Sequence, residues 1–397
     1  MNPHRVIIAG AGPVGLVAAL ALGRAGIPVT VLERTAEPGT DLRASTFHPP
    51  TLDMLDEFGL SRRLIDNGLI APQWQFRDRS TGPVATFDLG VIKDHTAHPY
   101  RVQCEQWKLI GFLLDDLKHI PEVEVRFDHA LSTVVQTDDL VTVRAQTRSG
   151  LVEISGRYLI GADGARSVTR KSLDIDFAGL TFPELFLVVS TAFRFEDVLE
   201  NLAAVNYVSD PDEWLALLRV RDFWRVLLPV DATEGEEEIL GDASVQRRLQ
   251  RIHARDQPYE TVHRTLYPVH QRVAASYRAG RVLIAGDAAH INNPLGGMGM
   301  NGGIHDALEL ARLLIANWSR DDPAALAVYE RRRRPVAVDE VQAATIRNRQ
   351  VLNERDPTVR AQRQDELRRT AASPALSRDY LLKSSMITGL RKAALVE

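Results

Sequence analysis

A chain of 397 residues exceeds one average core and falls short of three, so two domains, sequential or interleaved, are expected. With 45% hydrophobic and 25% charged residues it is ordinary globular protein, and a net charge of −4 gives no basic footprint, which excludes nucleic acid as a partner. The single cysteine, Cys104, has no internal disulfide partner, which fits a reducing cytoplasm and leaves neither a thiolate metal site nor a CxxC redox pair. No metal site is expected.

In chain order, residues 6–9 form a short apolar run, the string GAGPVG follows at 10–15, a helical stretch covers 14–25, and a second apolar run at 29–32 ends in Glu33. This is a βαβ unit. The apolar start is broken by Gly10, Gly12, Pro13 and Gly15, so it is not read as a membrane segment or leader. Gly10, Gly12 and Gly15 let the backbone turn tightly and approach a diphosphate, and the helix start turns free N–H groups toward it. Glu33 is placed to accept ribose hydroxyls, with Arg34 beside it as a further cofactor contact.

After an apolar run at 123–127, three short alternating runs near 131–135, 140–145 and 152–154 predict an antiparallel meander. Apolar runs at 158–160 and 281–285 are read as strands of the first sheet. Each delivers a motif at its C-terminal end, GADGARSVTR at 161–170 and GDAAHINNPLGGMGMN at 286–301. Between them, residues 175–268 are β-rich and aromatic and are read as a second domain. Segments 214–219 and 224–230 form its hairpin. Trp214, Phe223 and Trp224 line a substrate wall or fill that domain's core.

The third motif implies a flat ring laid against a glycine-rich helix start near Gly299, whose positive end stabilises negative charge on a reduced ring. GMGMNG at 297–302 belongs to this loop and is no second dinucleotide fingerprint, because no strand precedes it. The helix is expected to run to about residue 317. A second, from about 322, carries the basic run 331–334 and is expected to end at Pro335, which makes that run a solvated helix end. Beyond residue 353 the chain reads as surface helices with little chemistry.

GAGPVG with Glu33, the D-G-x-x-S-x-x-R pattern at Asp163, Gly164, Ser167 and Arg170, and GDAAH followed by NPLGGMGMN together resemble the class A flavin-dependent aromatic hydroxylases, typified by p-hydroxybenzoate hydroxylase. The resemblance runs from residue 5 to about 335. It implies an α/β fold: a Rossmann-like FAD-binding domain with parallel sheet and small antiparallel meander, an interleaved β-rich substrate domain, and C-terminal helices. The corresponding boundaries are 1–72, 101–174 and 271–335 for the FAD-binding parts, 73–100 and 175–270 for the substrate parts, and 336–397 for the helices.

The same resemblance implies FAD, with Asp287 on the ribityl chain, Asp163 near the pyrophosphate and nicotinamide path, and Arg43 near the ribityl chain and diphosphate. Gln103 or Gln106 corresponds to a flavin-contacting glutamine, Gln103 being preferred. Gly286, Pro294, Gly296, Gly297, Gly299, Met300 and Asn301 complete the cofactor set. NADH or NADPH visits without a second Rossmann domain, and Arg166 and Arg170 are either its phosphate contacts or exposed helix-start charges. The implied reaction is hydroxylation of a small aromatic molecule by O2 through a flavin C4a-hydroperoxide. A phenol needs a base or hydrogen-bond acceptor; His48, His98, Tyr100 and Tyr207 are the candidates, His48 and Tyr207 the choice, while His290 is assigned to the flavin loop. A flavin dehydrogenase or reductase and a non-catalytic flavin-holding protein remain alternatives. Either a monomer or a homodimer fits.

Overall fold

The computed structural model describes residues 3–40 and 44–397. Arg43, expected as a cofactor contact, lies outside the described residues. Val6–Ala9 pairs in parallel with Val29–Leu32 on one side and Tyr158–Gly161 on the other. The six-stranded sheet runs in the order Arg278–Ala279, Val282–Ile284, Tyr158–Gly161, Val6–Ala9, Val29–Leu32, Val123–Arg126, and all but the first strand are parallel. Both faces are covered, which is why the central strand is apolar at every position. Val6 and Ile8 pack against the helices Pro13–Arg24 and Gly299–Asn317, whereas Ile7 and Ala9 meet the expected meander, formed by Ala130–Gln136, Val141–Thr147 and Gly150–Gly156.

A second, eight-stranded sheet has the order His290–Ile291, Thr261–Ala274, Phe177–Thr191, Trp224–Asp231, Leu215–Arg219, Val205–Ser209, Gln73–Asp78, Gly82–Asp88. The expected hairpin is present, with Arg219 opposite Trp224. Side chains alternate between two apolar clusters. Phe186, Val188, Tyr207, Trp214, Ala216 and Leu227 share one with Trp74 and with Leu295 of the glycine-rich loop. Leu187, Val189, Trp224, Val226 and Leu228 share the other with Ile239, Val245 and Leu249 of the helices Glu236–Leu240 and Asp242–Gln250.

Three expectations fail in the C-terminal part. The helix Ala327–Pro335 does not stop at Pro335 but passes through a π-helical segment, Val336–Gln342, into the helix Ala343–Leu352. A π segment shifts the hydrogen-bond register, so the missing proline N–H is absorbed, and burial of Val336, Ala337 and Val341 favours continuation. The basic run is not a solvated end either: Arg333 is buried and its Nε donates to Asp306 at 2.7 Å. Nor are the last helices all surface. Pro374–Ser384 sends Tyr380 against Trp74 and Phe87, with ring centroids 5.8 and 4.6 Å away, and buries Leu381 in the same cluster. Among the described residues no helix is long and apolar enough to cross a membrane.

Cys104 is buried, and burial pushes its thiol up to about 12. The native protein is expected to leave a thiol-titrating disulfide reagent unconsumed at neutral pH and to consume one equivalent once denatured. Rapid reaction in the native state would contradict this packing.

Candidate active site

The three motif segments converge. A Cβ on Gly10 would stand 2.3 Å from the Ala162 carbonyl oxygen, joining the first motif to the second. The first and third meet where a Cβ on Gly286 would come within 2.9 Å of Val14, and one on Gly303 within 2.6 Å of the same side chain. The second and third meet through Arg170, whose Nη1 donates to the Ala288 carbonyl at 2.8 Å.

Around this junction several groups are consumed by the protein itself. Glu33 accepts from the Ala11 N–H at 2.9 Å and from the Thr35 N–H at 3.1 Å, which draws the end of one strand onto the glycine turn. Asp163 accepts from the Ser167 hydroxyl at 2.6 Å and the Thr169 N–H at 2.9 Å, so its carboxylate braces its own turn. Arg170 is not an exposed helix-start charge. It is buried, stacked 3.8 Å over the Phe177 ring, and its guanidinium donates to the Ala288 and Ala165 carbonyls. Arg166, Arg34 and Asp287 are exposed.

The glycine-rich loop is tied to the strand Thr46–Phe47 by one side chain. Asn301 Oδ1 accepts from the His48 N–H at 2.9 Å, while Nδ2 donates to the carbonyls of Thr46 and Gly297 at 2.8 and 2.7 Å. Gly296 and Gly297 bend the loop there with φ of +116° and +66°. Behind the loop, Asp306 accepts from His290 Nε2 at 2.7 Å, Arg333 Nε at 2.7 Å and the Gly286 N–H at 3.2 Å. His290 is therefore a support of the loop. His98 is bound to Asp53 at 2.7 Å, with Tyr100 edge-on to its ring.

Between loop and large sheet stand polar atoms the described protein does not satisfy. Gln103 is buried; its Oε1 accepts from the Thr46 hydroxyl at 3.0 Å, and its Nε2 has no partner among the described residues. Gln106 instead opens the helix Gln106–Leu117 and is half-buried. His48 is buried, with Nε2 2.8 Å from the Gly296 carbonyl. A carbonyl only accepts, so Nε2 carries the proton and Nδ1 is a lone-pair acceptor, again without a partner among the described residues. Burial, then the nearby Arg101 charge, hold the His48 pKa well below 6.5, so the ring is neutral.

Arg101, two residues before Gln103 on the strand Arg101–Gln103, lies 5.3 Å over Trp74, with Tyr207 beside it. Trp214 packs on this side with Tyr207. Trp224, by contrast, faces the outer cluster and gives its indole N–H to Glu196 at 2.5 Å, so it lines no wall here, and Phe223 joins neither cluster. Arg101 and Tyr380 were missed by sequence reasoning.

The junction suits a flavin dinucleotide. A Cβ on Gly12 would meet nothing within 4 Å, and the helices Pro13–Arg24 and Gly299–Asn317 both start without a side-chain cap. Their free N–H groups suit a diphosphate and an electron-rich ring. An unpartnered glutamine donor and an apolar wall stand alongside.

The family model described as an FAD binding domain matches residues 4–344. A para-nitrophenol 4-monooxygenase from a Pseudomonas species is 34% identical over 398 residues, covering 97% of this chain and 96% of that protein. A 6-hydroxy-3-succinoylpyridine 3-monooxygenase from Pseudomonas putida is 34% identical over 312 residues, 78% of this chain and 79% of that protein. The crystal structure of a p-nitrophenol 4-monooxygenase from Pseudomonas putida superposes with a TM-score of 0.92 at 30% identity, covering 98% of both chains. The chain belongs to the class A FAD-dependent aromatic hydroxylases.

Proposed function

We propose that this FAD-dependent hydroxylase acts on a single-ring phenol or hydroxypyridine, with NADH or NADPH as reductant and O2 as oxygen source. The observation that carries the reading is the set of buried, unpartnered polar atoms on His48, Arg101 and Gln103 beside an aromatic cluster. A small oxygen-bearing ring satisfies those of His48 and Arg101, and the flavin edge takes that of Gln103. The likeness to a nitrophenol and a hydroxypyridine monooxygenase over most of the chain supports the same size of substrate.

Bound FAD supplies electron transfer and oxygen activation; the protein supplies position, dryness and charge. Gly10, Gly12 and Gly15 bring backbone and a helix N-terminus to the diphosphate. Glu33 keeps lone pairs for ribose hydroxyls, Arg34 stands near them, and Asp287 and Arg43 are assigned to the ribityl side. Gln103 donates to the ring's polar edge, and Pro294, Gly296, Gly297, Gly299 and Met300 pass their backbone along it. Asn301 holds that loop in place. His48 Nδ1 is assigned as the acceptor for the proton of the substrate hydroxyl, and the Tyr207 hydroxyl as a polar contact for its oxygen. Trp214 supplies part of the apolar wall, which excludes water. Arg166 is assigned to the nicotinamide cofactor's phosphates. The division into cofactor and substrate parts at residues 72, 100, 174, 270 and 335 is supported by the separate sheets, with His290–Ile291 of the third cofactor part crossing over to the edge of the large one.

Incubation with 4-nitrophenol, a reduced nicotinamide and isotopically labelled O2 tests the reading. Phenol-dependent nicotinamide oxidation with label in the product is expected. Turnover without label would make the chain a dehydrogenase. A flavin never reduced in the presence of any phenol would make it a holding protein.

A further inference from the structure

Among the described residues the buried arginines have evident partners, Arg225 on the Ser45 hydroxyl included, with one exception. Arg333, Arg248 and Arg281 face the carboxylates of Asp306, Glu213 and Asp321. Arg77 and Arg170 face backbone carbonyls. Arg101 is only 2% exposed, yet among the described residues its Nε and Nη1 have no partner and no carboxylate lies against it. The groups around it are the Trp74 face, the hydroxyls of Tyr207 and Tyr380 from the large sheet and the C-terminal helix, and neutral His48 from the cofactor side. A guanidinium stays charged in a protein, and a buried charge without an anion is strongly disfavoured. Strand parity adds a second constraint. Val102 points into the core of the first domain, so Arg101 and Gln103 share the opposite face, about 7 Å apart along the strand. That separation is roughly the span of one substituted ring.

We propose that Arg101 is the specificity-determining charge of this site: its guanidinium takes an oxyanion carried on the reacting ring, so the enzyme selects its hydroxyarene in the ionised form. The assignment rests on the aromatic-hydroxylase reading. It places the phenolate oxygen, rather than a carboxylate on a side arm, against Arg101, because the surrounding wall is made of Trp74, Tyr207 and Tyr380 and leaves the charge at ring distance from Gln103. His48 cannot replace it, being neutral and an acceptor at Nδ1.

The test uses the FAD-loaded enzyme without nicotinamide, so that it reads binding alone. Three probes are titrated on either side of neutrality: 4-nitrophenol, which ionises; 4-nitroanisole, which cannot; and 4-nitrobenzoate, which carries its charge on a carboxylate. The visible absorption of bound nitrophenolate reports the ligand's ionisation, and the flavin spectrum reports occupancy. Wild type is expected to lower the apparent pKa of bound 4-nitrophenol by about one unit or more. Arg101→Gln is expected to return it to the solution value and weaken phenolate binding ~10- to 100-fold, the range of a charge-assisted hydrogen bond. Arg101→Lys restores part of both, and 4-nitroanisole binds all three alike. The proposal is overturned if wild type leaves the pKa of bound 4-nitrophenol unshifted, a result that needs no variant to fold. It is equally overturned if Arg101→Gln binds phenolate as tightly as wild type, or if 4-nitrobenzoate alone depends on Arg101. Because no turnover is involved, these outcomes are independent of the labelled-oxygen result.

Discussion

Gly12→Val is expected to purify as a folded, colourless protein, with bound flavin falling from stoichiometric to undetectable. The three glycines of the first motif are there for different reasons. A Cβ on Gly10 would lie 2.3 Å from the Ala162 carbonyl oxygen, and one on Gly15 would lie 2.0 Å from the Gly10 carbonyl oxygen, both fixed backbone atoms. Substitution there breaks the packing of strand, turn and helix whether or not any ligand is present. Gly12 alone meets nothing within 4 Å and caps the helix Pro13–Arg24, so valine branches enter only the region assigned to the diphosphate. Loss of a favourable N-cap residue costs about 1 kcal/mol, too little to unfold the chain. The check is flavin absorbance per mole of protein beside far-ultraviolet circular dichroism. Gly15→Val, the internal contrast, is expected to lose the fold itself. A fully yellow Gly12→Val protein would detach the first motif from the cofactor.

Local chemistry is what made the cofactor half of the site readable. GAGPVG, the strand-end Glu33, GADGARS and GDAAH…NPLGGMGMN are each short segments whose glycines, strand ends and helix starts specify a backbone shape, and the structure brings them together through Gly10–Ala162, Gly286–Val14 and Arg170–Ala288. The substrate half is set by contacts between distant segments. Trp214 and Trp224 look alike in sequence, both at ends of one hairpin, yet strand parity sends Trp214 to the inner cluster and Trp224 to the outer. Nothing local says which face is inner. Arg101 reads as one more charge at the edge of an apolar strand, and Tyr380 sits in a helix with little amphipathic pattern; each gains meaning only when Trp74 arrives between them. Pro335 misled for a related reason: its local preference to end a helix is outweighed by burial of the residues that follow.

Arg333→Met is expected to destabilise the folded state by about 3–5 kcal/mol, as is typical when one member of a buried ion pair is removed and the other is left charged. Arg333 and Asp306 are 3% and 0% exposed, so little solvent screens their contact. The affected carboxylate also accepts from the Gly286 N–H at 3.2 Å, so the loss falls on the turn that opens the third motif, and flavin affinity should drop with stability. The pH dependence follows from Asp306. Burial by itself would raise its pKa, but the contacts with His290 and Arg333 and their hydrogen bonds outweigh it and hold the carboxyl at about 2, below its ordinary 3.8. A folded-state pKa below the unfolded value gives stability that is complete above about pH 4 and is lost as pH falls toward 2. Without Arg333 the burial contribution has less opposition, the folded pKa rises, and the acid-unfolding midpoint moves to higher pH. Denaturant titration at neutral pH and acid titration followed by flavin release measure the two effects separately. Arg333→Met/Asp306→Leu, which removes the pair, should recover part of the loss because no unpaired carboxylate remains, while His290 Nε2 and the Gly286 N–H lose their acceptor. An unchanged acid midpoint in the single variant would mean that Asp306 is held by His290 and the Gly286 N–H alone, and that the arginine contributes only its packing.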